Sequence, residues 1–179
     1  MIRIAVVGAS GKVGQALLDQ IAAAPDLTLA EAINQSGAPQ AGQSFTTLDA
    51  ACLDADAVVD FSSPTGTMAL LDRLGTAPVP LVVGTTGFSA DQVERIEASA
   101  RARPTLLGAN FTAGFEVFAE AARMLADQLP EARVTVAEVY NARKKPAPSG
   151  TTRRLLADLG EEGREIETSI GREGDTPGI

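Results

Sequence analysis

The 179-residue chain contains no histidine and no tryptophan, and a single cysteine (Cys52) and tyrosine (Tyr140). Without an imidazole there can be no Ser-His-Asp triad, no Cys-His dyad and no HExxH zinc site. One cysteine allows neither an intramolecular disulfide nor a CxxC motif, and no metal site is expected. Acid–base chemistry must therefore come from lysine, a carboxylate, Tyr140 or water. Positive charge is also scarce: 15 Lys+Arg stand against 23 Asp+Glu, a net charge of −8, which argues against general nucleic-acid binding. No apolar run approaches the ~18 residues of a membrane span. Gly8 and Ser10 break the N-terminal apolar stretch before it can form a signal-peptide core. The expectation is a cytoplasmic protein that uses neither a membrane nor a nucleic acid as partner.

What charge there is falls unevenly. Residues 1–90 hold three basic and eight acidic side chains, and residues 91–179 hold twelve and fifteen. Within the second half, Arg143, Lys144, Lys145, Arg153 and Arg154 form a basic island with no acid between Glu138 and Asp158. One such island in an acidic protein points to a small anionic ligand, against the alternative of a solvated loop and helix face.

The pattern along the chain alternates strand and helix. Strands are predicted at 2–7, 27–33, 57–61, 80–83 and 105–107. Helices are predicted at 13–24, 65–74 and 89–102, the last opened by a Ser89/Gln92 capping box. No pattern emerges over 38–47. This alternation predicts an α/β fold with a doubly wound, Rossmann-like parallel sheet. The rhythm then changes. A helix over 115–129 carries Phe115, Phe118, Ala122 and Leu125 on one stripe. A one-sided strand over 133–140 turns Val134, Val136 and Ala137 away from Thr135 and Glu138. A helix capped by Ser149 and a strand from 166 complete a second, smaller α+β lobe. The predicted division is 1–112 for a dinucleotide-binding domain and 113–179 for a substrate-binding and oligomerisation lobe.

Gly8-Ala9-Ser10-Gly11-Lys12-Val13-Gly14 follows the first strand and opens the first helix, the setting of a dinucleotide fingerprint with G-x-x-G-x-x-G spacing. Gly8 permits the turn, Gly11 lets backbone approach a pyrophosphate, and Gly14 allows close helix–strand packing. N–H groups at the helix N-terminus face the anion. The second strand ends in Asn34-Gln35-Ser36, which offers neither the acid that favours NAD nor the base that favours NADP. With Lys12 as the nearest cation, the cofactor is read as NADPH or NADH, with a lean to NADPH.

Three further segments end predicted strands: Asp60-Phe61-Ser62-Ser63-Pro64, Gly84-Thr85-Thr86-Gly87-Phe88 and Gly108-Ala109-Asn110-Phe111-Thr112. A fourth, Lys144-Lys145-Pro146-Ala147-Pro148-Ser149-Gly150-Thr151, opens the helix of the second lobe. With the glycine loop, in this order, they make the chain resemble the 4-hydroxy-tetrahydrodipicolinate reductase (dihydrodipicolinate reductase) family of lysine and diaminopimelate biosynthesis, from residue 2 to about 175. GTTGF and APSGT carry most of the specificity. The resemblance implies that the glycine loop with Lys12, together with Asn34, holds the cofactor. Phe61, Gly84, Thr85 and Thr86 would line the nicotinamide end, with Ala109, Asn110 and Phe111 closing over it. It implies Lys144 as catalytic lysine, and Ser149, Gly150 and Thr151 as the grip on a substrate carboxylate. The grip also follows from chemistry: hydroxyls and N–H groups at a helix N-terminus beside a basic island form a carboxylate receptor.

The chain departs from the family where E-x-H-H becomes Glu138-Val139-Tyr140-Asn141. Tyr140 replaces the histidine with acid–base work and Asn141 the one that contacts substrate, while Pro146 replaces an aspartate. A phenol titrates near ~10, poorly matched to neutral pH, so Lys144 is the preferred proton donor, with Tyr140 as second candidate. Three readings follow: a tetrahydrodipicolinate reductase working without the histidines, a reductase of another imine or carbonyl acid, or a non-catalytic dinucleotide-binding relative. Retention of Lys144 and of the Ser149-Gly150-Thr151 turn speaks against the last. Chains of the family continue beyond the position of Ile179 and form tetramers, so an incomplete second lobe and a homo-oligomer are expected.

Overall fold

In a computed structural model of the chain, the described residues are 1–40, 42–142, 147–160 and 163–174. They form two compact units, Met1–Gly108 and Ala109–Ile179. The sequence predicts the boundary slightly later, at 112/113; the break comes instead where the last strand of the first sheet ends.

The first unit contains β1 Ile2–Val7, α1 Lys12–Ala23, β2 Leu27–Ile33, β3 Ala57–Asp60, α2 Pro64–Leu74, β4 Leu81–Val83, α3 Ala90–Ser99 and β5 Thr105–Leu107. All strand pairs are parallel, in the order β2-β1-β3-β4-β5. Successive residues of a strand face opposite sides, so β1 feeds two cores. Ala5 and Val7 pack with Val58, Leu70, Leu81 and Ile96 on one face. Val6 packs with Leu18, Ile21 and Ala32 on the other. Burial on both faces explains the unbroken apolar runs in the sequence. Strand order reverses between β1 and β3, and the crevice above that switch is where open α/β sheets take ligands.

Side-chain oxygens start two of the helices. Ser63 Oγ accepts from Gly66 N at 3.1 Å before Pro64 opens α2. Ser89 and Gln92 form the predicted reciprocal capping box of α3. The unpatterned stretch 38–47 returns the chain to β2: Thr46 N donates to Ala32 O at 2.9 Å, and Asn34 N to Thr46 O at 3.1 Å.

The second unit contains α4 Ala113–Gln128, β6 Val134–Tyr140, α5 Gly150–Gly160 and β7 Ile166–Arg172. β6 and β7 pair in parallel, from Val134↔Ile166 to Tyr140↔Arg172. Two expectations need correction. The buried stripe of α4 runs through Phe115, Ala119, Ala122 and Ala126, while Phe118 and Leu125 are exposed. Both stripes have helical spacing, and the alanines let the helix approach Val136, Leu155 and Leu159 closely. On β6, the inward residues are Val134, Val136, Glu138 and Tyr140, whereas Ala137 faces out. Strict alternation overrides the polarity of Glu138 because its carboxylate finds donors inside.

Candidate functional sites

In the first unit, the glycine loop is rooted on the end of β2: Gly8 N and Ala9 N both donate to Ile33 O at 3.0 Å. Gly8 has φ +78°, and a Cβ there would lie 2.5 Å from Phe61 O. A Cβ on Gly14 would lie 2.3 Å from Gly8 O. Both positions therefore exclude any side chain. A Cβ on Gly84 would sit 2.1 Å from the Phe61 ring, so Phe61 is wedged between the first and fourth strand ends. Behind it Asp60 is fully buried. Its carboxylate accepts from Ser62 Oγ at 2.5 Å, Ser62 N at 3.0 Å and Thr67 Oγ1 at 2.5 Å. Burial pushes the Asp60 carboxyl up, against these hydrogen bonds.

The loop, the end of β2 and the turn after β3 enclose a cavity of about 640 Å³ whose wall includes Gly8, Ser10, Gly11, Asn34 and Phe61. Of the residues expected to hold a cofactor, these five line one space. Gly14 packs beneath it, and Gly84 backs Phe61. Lys12 and Val13 open α1 and are exposed; Thr85 is buried and Thr86 half-buried. A helix N-terminus over bare backbone, beside a cavity of this size, fits a dinucleotide whose pyrophosphate lies on the glycines.

Ala109, Asn110 and Phe111 belong to the second unit. Asn110 Oδ1 accepts from Thr112 N at 2.8 Å, and Asn110 Nδ2 donates to Thr151 Oγ1 at 3.5 Å. Ser149 Oγ caps α5 by accepting from Thr152 N at 3.2 Å. The Ser149 amide donates to both oxygens of Glu138, at 3.1 and 3.2 Å. Thr152 Oγ1 donates to the same carboxylate, and Arg172 Nη2 meets it at 2.5 Å. Burial raises the Glu138 carboxyl, but the hydrogen bonds from Ser149, Thr152 and Arg172 outweigh it and hold it at about 2. Arg172 also stacks over the Tyr140 ring, 5.4 Å from its centre.

Ser149 is thus engaged inward, while Gly150 and Thr151 open α5 with N–H groups that have no helical acceptor. Tyr140 and Thr151 line a second cavity of about 520 Å³ with Phe115 and Val136. Asn141 is half-buried. Lys144 lies outside the described residues, as do Arg143 and Lys145. Glu138 and Arg172 were missed in sequence; the parity of Glu138 with Val134 and Val136 is the signal that places it inside. No group of acidic, cysteine or histidine side chains that could hold a metal ion occurs among the described residues. No described helix is long and apolar enough to cross a membrane.

A family model described as dihydrodipicolinate reductase, N-terminus, matches residues 2–111. The 4-hydroxy-tetrahydrodipicolinate reductase of Burkholderia pseudomallei (strain 668) is 32% identical over 185 residues, covering 96% of this chain and 67% of its own. That of Burkholderia thailandensis is 31% identical, covering 96% and 66%. The chain thus spans about two thirds of the length of these curated relatives. Among solved structures, a dipicolinate-bound dihydrodipicolinate reductase from Paenisporosarcina sp. TG-14 superposes with a TM-score of 0.70 at 20% identity, over 96% of this chain and 79% of that one. Aspartate dehydrogenase from Thermotoga maritima gives 0.57 at 11% identity, over 97% and 79%, a likeness of fold alone.

Proposed function

The chain belongs to the dihydrodipicolinate reductase family, and from that premise we propose that it is an NAD(P)H-dependent oxidoreductase that reduces 4-hydroxy-tetrahydrodipicolinate, a cyclic imino dicarboxylate, in lysine and diaminopimelate biosynthesis. The observation that carries the reading is a match over 96% of the chain to reductases of that name. Two features support it: in the first unit a glycine loop beside a cavity, and in the second a helix N-terminus whose first N–H groups have no helical acceptor.

When bound, the nicotinamide cofactor supplies the hydride. The chain's own residues do the rest. Gly8, Ser10 and Gly11 present backbone to the pyrophosphate, while Phe61, wedged against Gly84, forms a firm wall for the nicotinamide end. Thr85 and Thr86 belong to that end as well. Gly150 and Thr151 receive a substrate carboxylate through their N–H groups and the Thr151 hydroxyl. Ser149 supports them as cap, and Asn141 and Tyr140 shape the pocket. Once the 4-hydroxyl has left as water, the ring is a conjugated imine; conjugate addition of hydride to it leaves an enamine, whose carbon would take its proton from Lys144, and positioning supplies much of the remaining rate. The assembly proposed with this reading is a cytoplasmic homotetramer, checked by the mass in light scattering and by cell fractionation.

Steady-state oxidation of NADH or NADPH with freshly generated 4-hydroxy-tetrahydrodipicolinate tests the proposal. Turnover well above background is expected, and Lys144→Ala should lower kcat ~10²–10⁴-fold while leaving cofactor binding intact. No turnover despite measurable cofactor binding, or turnover of other cyclic imines alone, would refute it.

A further inference from the structure

The end of β2, where dinucleotide folds read the adenosine ribose, carries Asn34 rather than an acid. Its side chain is spent within its own turn: Oδ1 accepts from Gly37 N at 2.6 Å and Nδ2 donates to Ala38 O at 3.4 Å. Asn34 is therefore a turn builder with little left to offer a ribose.

The acid arrives from further along the chain. After its bridge to Ile33, Thr46 leads into a turn in which Ala50 N and Ala51 N donate to Thr47 O. Glu31 of β2 holds the far side of this turn, accepting from Cys52 N at 3.0 Å and Leu53 N at 2.8 Å. The segment is thus fastened to β2 before and after the turn. Thr47, Leu48 and Asp49 form part of the wall of the same cavity as Gly8, Asn34 and Gln35. Asp49 is exposed there, and among the described residues no hydrogen bond or ion pair engages it. It is the one charged side chain on that described wall; Lys12, which begins α1, is not part of it.

We infer that Asp49 selects the cofactor: its carboxylate receives the adenosine ribose hydroxyls and repels a 2′-phosphate, so the chain uses NADH in preference to NADPH. This reverses the lean that Lys12 suggests in the sequence. It rests on the reading of the cavity as a nicotinamide-dinucleotide site, and takes that reading from the class of cofactor to one member. The chemistry is charge complementarity. A free carboxylate accepts hydrogen bonds from a 2′,3′-diol, whereas a phosphate that is nearly doubly charged at neutral pH meets it with like sign and with no cation on the described wall to offset it. Repulsion of two charges across a solvated gap of a few ångströms gives roughly ten- to thirtyfold discrimination.

The test is direct binding with the full chain and no substrate. Titration of NADH and NADPH, followed by nicotinamide fluorescence, should give a Kd about tenfold or more weaker for NADPH. Competition should follow suit, with AMP displacing NADH more readily than adenosine 2′,5′-bisphosphate does. Asp49→Asn should bring the two Kd values within about threefold, mainly by tightening NADPH, and added salt should narrow the wild-type ratio but not the variant's. Equal wild-type affinities, or an unchanged ratio in the variant, would overturn the role of Asp49 while leaving the dinucleotide reading intact. Failure to bind either nucleotide would overturn both.

Discussion

Replacing Glu138 by glutamine should destabilise the second unit, and the loss should depend on pH in a way set by the surroundings of that carboxylate. Glu138 is 8% exposed and accepts from the Ser149 amide, Thr152 Oγ1 and Arg172 Nη2. These donors hold it at about 2, against an ordinary value of 4.5. At about 1.4 kcal/mol for each tenfold change in proton affinity, the preference of the fold for the ionised form reaches at most roughly 3 kcal/mol. The folded value is depressed, so this stability is fully present above pH 4.5 and is lost as the pH falls towards 2. Glu138→Gln keeps the shape but removes the charge, and leaves Arg172 half-buried opposite a neutral amide. The variant should lose about 2–3 kcal/mol at pH 7, and the gap from wild type should shrink steadily below pH 4.5. The chain has no tryptophan and one tyrosine, and that Tyr140 lies under Arg172. Tyrosine fluorescence during urea unfolding therefore reports on this unit alone. A variant as stable as wild type at pH 7, or a gap that stays constant down to pH 3, would refute the assignment of Glu138 as the anchor of the α5 N-terminus.

Two further substitutions test the first unit. Gly84→Ala places a methyl 2.1 Å from the Phe61 ring; displacing that ring should cost about 1–3 kcal/mol in thermal unfolding and weaken NADH binding in a fluorescence titration. Ser89→Ala removes the capping box of α3 and should cost about 1 kcal/mol by urea denaturation, with the NADH Kd unchanged.

Much of the first unit is legible in sequence because its signals are local. Apolar runs ending in glycine mark strands of the parallel sheet, and Gly8 and Gly14 announce a loop with no room for a side chain at either position. What is not legible depends on chain return or on a choice between equivalent faces. Asp49 reaches the end of β2 through a stretch with no periodicity to read, and long-range pairing puts it there: Thr46 with Ala32 and Asn34 on one side, Glu31 with Cys52 and Leu53 on the other. In α4, spacing allows either the Phe118/Leu125 or the Ala119/Ala126 stripe to face inward, and packing against β6 and α5 decides for the alanines. Glu138 shows the same limit from the other side: polarity suggests solvent, alternation dictates burial, and donors contributed by Ser149, Thr152 and Arg172 make burial tolerable. Lys144 was legible as a candidate from its motif, and it lies outside the described residues.

The wedging of Phe61 between Gly8 and Gly84 has a kinetic meaning. Its carbonyl lies against Gly8 of the glycine loop and its ring against Gly84 after β4, so one residue braces both segments. A frame braced in this way has little disorder to surrender when a ligand is captured. Cofactor should then enter at a rate governed by encounter rather than by rearrangement, and variants along the frame should differ chiefly in how long they hold it.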